Sequence, residues 1–166
     1  MQTVSGSVTI RVASSEDLDD ILELAGARRR QYAVYQPVFW RAAADAVDQQ
    51  RPYLAGLLQD GQVIAFVAVT DSALRGFALG TVIASPPVYD PGGPTCLVDD
   101  FTVADPVDWP TIGVELLRAV GQAARQRGAA QIVVITAHLD TAKRTALAAS
   151  GLSLASEWWV NTLGTD

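Results

Sequence analysis

A chain of 166 residues, 49% hydrophobic and 18% charged, is long enough for one folded domain and far from the composition of a disordered protein. Its 12 Lys and Arg against 18 Asp and Glu leave a formal net charge of −6. That balance argues against nucleic acid or an anionic membrane as the main partner, since both require a basic face, and it suits a cationic partner such as an amine.

Val8–Val12 alternates and predicts a first strand, with residues 1–7 expected to be disordered. Ser14-Ser15-Glu16-Asp17 is an N-cap signal, and Leu18, Ile21, Leu22 and Ala25 recur at helical spacing, so a helix is predicted to about Arg30. Arg28-Arg29-Arg30 would close it with cations near its C-terminus. Gln36-Pro37 breaks the pattern, and Phe39–Val47 predicts a second short helix. Tyr53–Gln59 and Val63–Thr70 are apolar runs joined by Asp60-Gly61, which predicts a β-hairpin. A strand is expected at Gly80–Ala84, followed by the loop SPPVYDPGGPT. Leu97–Val103 is the next strand, and Pro110–Arg127 the next helix, stopped by Gly128. Ile132–Ala137 reads as a strand buried on both faces. Asp140 caps a helix that runs to Ser150, and Ser156–Leu163 is a last strand.

Cys96 is the only cysteine and His138 the only histidine. No disulfide framework or Cys-based metal site is possible, and no metal is expected. Beside strand residues, Cys96 reads as a small hydrophobe rather than a nucleophile paired with His138. MQTVSGSV lacks the charged start and apolar run of a signal peptide, and no apolar stretch is long enough to span a bilayer, so the expected location is the cytoplasm.

The segment Asp99–Leu117, DDFTVADPVDWPTIGVELL, lays out a strand, a turn rich in Asp and Pro, and a helix opening on Thr111-Ile112-Gly113. Backbone N–H groups at such a helix start point at an anion. With Val103 as a strand valine, Gly113 as the second glycine of R/Q-x-x-G-x-G/A and Leu116-Leu117 as the helix pair, the segment resembles the acyl-CoA-binding segment of the GNAT superfamily of N-acyltransferases. The order of elements resembles that superfamily over nearly the whole chain. Inside the loop the sequence departs: Asp108 replaces Arg or Gln, Thr111 replaces the first glycine, and Pro110 removes an N–H donor. Asp105 and Asp108 would also set negative charge beside a pyrophosphate.

The resemblance implies an α/β fold in one domain spanning residues 1–166. Its mixed sheet has an antiparallel N-terminal half and a parallel, splayed C-terminal half, with helices on both faces. It implies transfer of an acetyl group from acetyl-CoA, or of an acyl group from a related acyl-CoA, to the amine of a small molecule or peptide. Phe101, Thr102 and Val103 at the strand end, Trp109, Thr111, Ile112, Gly113 and Val114 at the helix start, and Asp140 and Lys143 on the later helix would hold the CoA. Asp99 and Asp100 would position or deprotonate the amine; VDDFTV looks like the LEDFFV-type strand of polyamine acetyltransferases. Asp140 takes the place of the family Asn, and Leu147 the place of the Tyr that protonates the CoA thiolate.

Tyr89 and Asp90, in the long Pro- and Gly-rich loop, are expected at the mouth of the acceptor site. The alternative function is a catalytically inactive protein of this fold that senses CoA or serves as an interaction domain. An α/β nucleotide-binding domain is disfavoured because neither GxxxxGK[ST] nor GxGxxG occurs. Trp158, Trp159 and Val160 on a terminal strand would make a sticky edge, so a homodimer is expected.

Overall fold

The structure is a computed structural model that describes residues 7–71 and 73–164. Strands β1 (Thr9–Val12), β2 (Val63–Val69), β3 (Leu74–Ile83), β4 (Thr95–Val103) and β5 (Gln131–Val134) form one sheet in the order β1-β2-β3-β4-β5. The first four pair antiparallel, and β4 pairs parallel with β5. Helices α1 (Leu18–Tyr35), α2 (Ala46–Gln59), α3 (Val114–Gln126) and α4 (Thr141–Ala149) cover it.

Alternation along β2 sends side chains to both faces. Val63, Ala65 and Val67, with Phe77 and Leu79 of β3, pack on Ile21 and Ala25 of α1 and Leu54 of α2. Ile64 and Ala68, with Ala78, Val98 and Phe101, pack on Leu116 and Val120 of α3 and Ala146 and Leu147 of α4. The expected mixed sheet with helices on both faces is the fold observed. Among the described residues no helix is long and apolar enough to cross a membrane.

Five expectations change. The predicted Tyr53–Gln59 strand is part of α2, because Leu54, Leu57 and Leu58 share one helical face toward the sheet, and the predicted Phe39–Val47 helix is a turn leading into α2. Helix α1 continues to Tyr35, so the three arginines lie inside it rather than at its end. The Ile132–Ala137 strand shortens to Gln131–Val134 and is half-covered, since no strand lies beyond it among the described residues. The Ser156–Leu163 strand does not form: residues 152–164 have no regular structure, and Trp158 and Trp159 are 78% and 90% exposed. Apart from exposed Ser7, the expected disorder of residues 1–7 lies outside the described residues.

Candidate active site

The site begins with a break in strand pairing. On β3, Ala78 and Gly80 are two residues apart, but their partners on β4 are Phe101 and Val98, three apart. The extra residue is a bulge at Asp99-Asp100, which bends β4 and re-aims its side chains. Parallel pairing with β5 ends at the same level, at Val98 opposite Val134, with one more bond from Ile135 N–H to the Val98 carbonyl at 3.0 Å. Beyond it the two strands part.

Lys143 fills the opening. Its position on α4 shares a face with Ala146 and Leu147, so the helix that buries those residues drives the lysine stem between the strands. Nζ donates to the carbonyls of Phe101 at 2.9 Å and Ile135 at 3.1 Å, one from each parted strand. The side chain is fully buried, with Nζ 5.1 Å from the Phe101 ring centroid and 5.4 Å from that of Trp109. Burial above all, then the nearby Arg28, pulls the amine down to about 7, against the opposing pull of Asp140, Asp99 and Asp100.

Helix α1 supplies the other wall. Arg28 and Tyr32 continue its buried stripe of Ile21 and Ala25 at i, i+4, i+7 and i+11. Arg28 Nη1 donates to the Asp99 carbonyl at 2.8 Å and Nη2 to Asp100 Oδ1 at 2.6 Å; both side chains of the ion pair are mostly buried. Burial pushes the Asp100 carboxyl up, Arg28 pulls it down, and Asp99 pushes it up again. The Tyr32 hydroxyl donates to Asp140 Oδ2 at 2.8 Å and lies 3.5 Å from Thr136 Oγ1, while burial pushes the phenol up to about 12. Tyr35 and Trp40 pack around Tyr32, and Phe39 carries the aromatic cluster on to Trp158.

The turn before α3 is built differently from the expected phosphate cradle. A short turn over Pro106–Asp108 leads into a π-helical turn over Trp109–Gly113. Trp109 is buried, edge-on to Phe101 at 4.9 Å, so its indole is core and not a face for a ligand to stack on. A Cβ on Gly113 would lie 2.4 Å from Cε3 of that indole, which explains the glycine by packing. Ile112 and Gly113 are also buried, Val114 is half-buried, and Thr111 is exposed at the turn. Asp108 turns back to Arg75 of β3 at 2.5 Å, and Asp105 accepts the Val107 N–H at 3.0 Å. Both aspartates are loop partners, and Arg75 neutralises the charge of Asp108, while Asp105 is an exposed cap of the turn.

Asp99, Asp100, Phe101, Trp109, Asp140 and Lys143 therefore gather at one opening, with Thr102 half-buried and Val103 buried further along β4. Lys143 does so from inside, and does not reach outward to CoA phosphates as expected. Asp140 caps α4, its Oδ1 accepting from Lys143 N–H at 3.3 Å, and also receives Tyr32. Leu147 is buried in the core and offers no hydroxyl. Tyr89 and Asp90 are not brought to the opening. They line an open depression with Ser85 and Gln131 at the start of β5, whereas the strands part beyond its end. Cys96 is buried mid-sheet opposite Val82 and Ile132, its thiol pushed up by burial, and His138 is exposed in the loop before α4, so they form no pair. The residues the sequence reading missed are Arg28, Tyr32 and Thr136; the i, i+4 stripe on α1 was the available signal for the first two.

The sequence matches no protein-family model and no curated protein. Solved structures do match. A predicted acetyltransferase from Clostridium acetobutylicum, solved with acetyl-CoA, is 15% identical with a TM-score of 0.73 over 94% of this chain and 96% of that one. A GCN5-related N-acetyltransferase from Ralstonia eutropha is 18% identical with a TM-score of 0.71, over 95% of this chain and 100% of that one. The aminoglycoside N-acetyltransferase AAC(6')-Iy, in complex with CoA, is 16% identical with a TM-score of 0.70, over 98% of this chain and 99% of that one. At these identities the likeness is one of fold.

Proposed function

Since the chain has the fold of GCN5-related N-acetyltransferases, we propose that it is an acetyl-CoA-dependent N-acetyltransferase acting on a small-molecule amine. The observation that carries this reading is the coincidence of the Asp99-Asp100 bulge with the parting of β4 and β5. An unpaired strand end, two carboxylates and a buried amine meet there. The donor set suits an acyl thioester: extended backbone past a bulge, and a basic group in a gap of low dielectric.

Acetyl-CoA supplies the acetyl group as a thioester. Phe101, Thr102 and Val103 would flank its arm with their backbone, and the turn at Thr111–Gly113 would offer N–H groups to its phosphates, the Val114 N–H being already bonded to the Trp109 carbonyl. Exposed Asp99 draws a cationic amine toward the opening, and Asp100, held by Arg28 at 2.6 Å, orients it and accepts its proton. A small-molecule acceptor is supported by the solved complex of AAC(6')-Iy with CoA-S-monomethyl-acetylneamine and by the net charge of −6.

A CoA-binding protein without catalysis is the second reading, favoured by the buried Leu147 in the place of the family Tyr. Thermal shift with acetyl-CoA, followed by thiol release with a panel of polyamines and aminoglycosides, separates the two. A ligand at a hundred times its Kd stabilises by about 2.7 kcal/mol. Stabilisation with amine-dependent thiol release supports the enzyme. Stabilisation without it supports the sensor, and no stabilisation rejects both.

A further inference from the structure

Lys143 is the only lysine in the chain; every other cation among the 12 Lys and Arg is an arginine. The difference is chemical, since a guanidinium holds its proton at any working pH and an amine can give one up. Among the 12 Lys and Arg, the chain places its one amine at the parting of β4 and β5. There, among the described residues, Lys143 makes no ion pair with any carboxylate. Its neighbours in the gap are two carbonyls and two aromatic rings. A buried ammonium in such company lacks a counter-ion, and an arriving anion would supply it.

We propose that Lys143 is the catalytic residue that donates a proton to the departing CoA sulfur, a role for which Leu147 has no hydroxyl. The inference rests on the acyl-CoA reading above. The acceptor nitrogen bonds to the acyl carbon, the carbon–sulfur bond breaks, and its electron pair stays on sulfur. A proton passes from Nζ to sulfur, leaving CoA as the thiol and Lys143 as the neutral amine. A cationic acceptor loses two protons on becoming an amide: one, taken first by Asp100, leaves to solvent, and the other restores the ammonium, so the cycle closes with no further reagent.

Two of the three ammonium hydrogens are held by Phe101 and Ile135, which fixes Nζ in the gap and leaves the third to reach sulfur. The titratable groups around it are Arg28 and Tyr32 of α1, Asp99 and Asp100 of β4, and Asp140 of its own helix. Burial first and then Arg28 favour proton release, and the three carboxylates favour retention, so the amine is poised rather than locked in either state.

The test uses CoA itself, because its thiol reports the neighbouring cation without any acceptor. The ultraviolet absorbance of the thiolate is followed against pH for CoA free, bound to the native chain, and bound to Lys143→Met and Lys143→Gln. With Lys143 beside the sulfur, thiol and amine titrate as one coupled pair that shares a proton, so thiolate on bound CoA should form at least about tenfold more readily than on free CoA, one unit of pH, and either variant should abolish the shift. Bound CoA that titrates like free CoA in the native chain overturns the inference while leaving the acyl-CoA reading intact, and this result needs no variant to fold. A native chain that does not bind CoA overturns that reading, and the inference with it.

Discussion

Replacing Lys143 by methionine should change how stability depends on pH more than it changes stability at any one pH. In the folded chain the amine is held near 7, against 10.5 for an ordinary lysine. Between those values the unfolded chain binds a proton that the folded chain does not, so native stability rises with pH across the window. The cost of charging the buried amine is absent above about 10.5 and fully present below about 7. From about pH 8 to 10 this one group adds about 2.5 kcal/mol, close to 1.4 kcal/mol per unit over most of the range. Methionine has no proton to bind, and Cys96, Tyr32 and Tyr53 titrate alike in both chains and cancel in the difference. At neutral pH two effects oppose. Met leaves the Phe101 and Ile135 carbonyls unpartnered, at about 1–3 kcal/mol each if they stay dry, but removes the desolvation of the amine. Urea unfolding of both chains at three pH values through this window gives the two slopes. Parallel slopes would refute the argument, because they would mean that water reaches Nζ and holds it in its ordinary state.

Two further outcomes follow from the same region and from the tail. Arg28→Met strands the Asp100 carboxylate in a mostly buried place and should cost about 2–4 kcal/mol at neutral pH. Its carboxyl, already pushed up by burial, then rises further, so the loss should shrink as pH falls through that raised value and the group becomes neutral. An equal loss at neutral and mildly acid pH would show that Arg28 acts through packing alone. Exposed Trp158 and Trp159 make a second copy the expected cover, so light scattering at micromolar concentration should give twice the chain mass, and Trp158→Ser with Trp159→Ser should halve it. A native chain at the monomer mass would defeat that expectation.

What the sequence made legible was local and apolar. β4, the α3 stripe of Leu116, Leu117 and Val120, and the capped start of α4 announce themselves within a few residues. α2 was hidden by Pro52 and by the Asp60-Gly61 pair. The carboxylate of Asp60 accepts the Gln62 N–H, turn chemistry that serves a helix-to-strand junction as readily as a hairpin. The site was half visible. Asp99 and Asp100 stood in the right strand, but the bulge that aims them exists only against β3. Arg28 read as a helix-end group and Lys143 as a ligand of CoA because their partners, Asp100 and Phe101, are 72 and 42 residues away. The spacing of Lys143 with Ala146 and Leu147 already put the lysine on the buried face.

Gly113 holds one more consequence. Its hydrogen faces the Trp109 indole across a space too small for a methyl group. The constraint would persist in a chain that never met a nucleotide, because any larger residue there would displace a ring wedged against Phe101. A glycine at this spacing thus has two physical causes that leave the same letter: room for an incoming anion, or room for an aromatic of its own. A fingerprint read as a ligand's imprint can be the imprint of a neighbouring side chain, and in this protein the neighbour is identified.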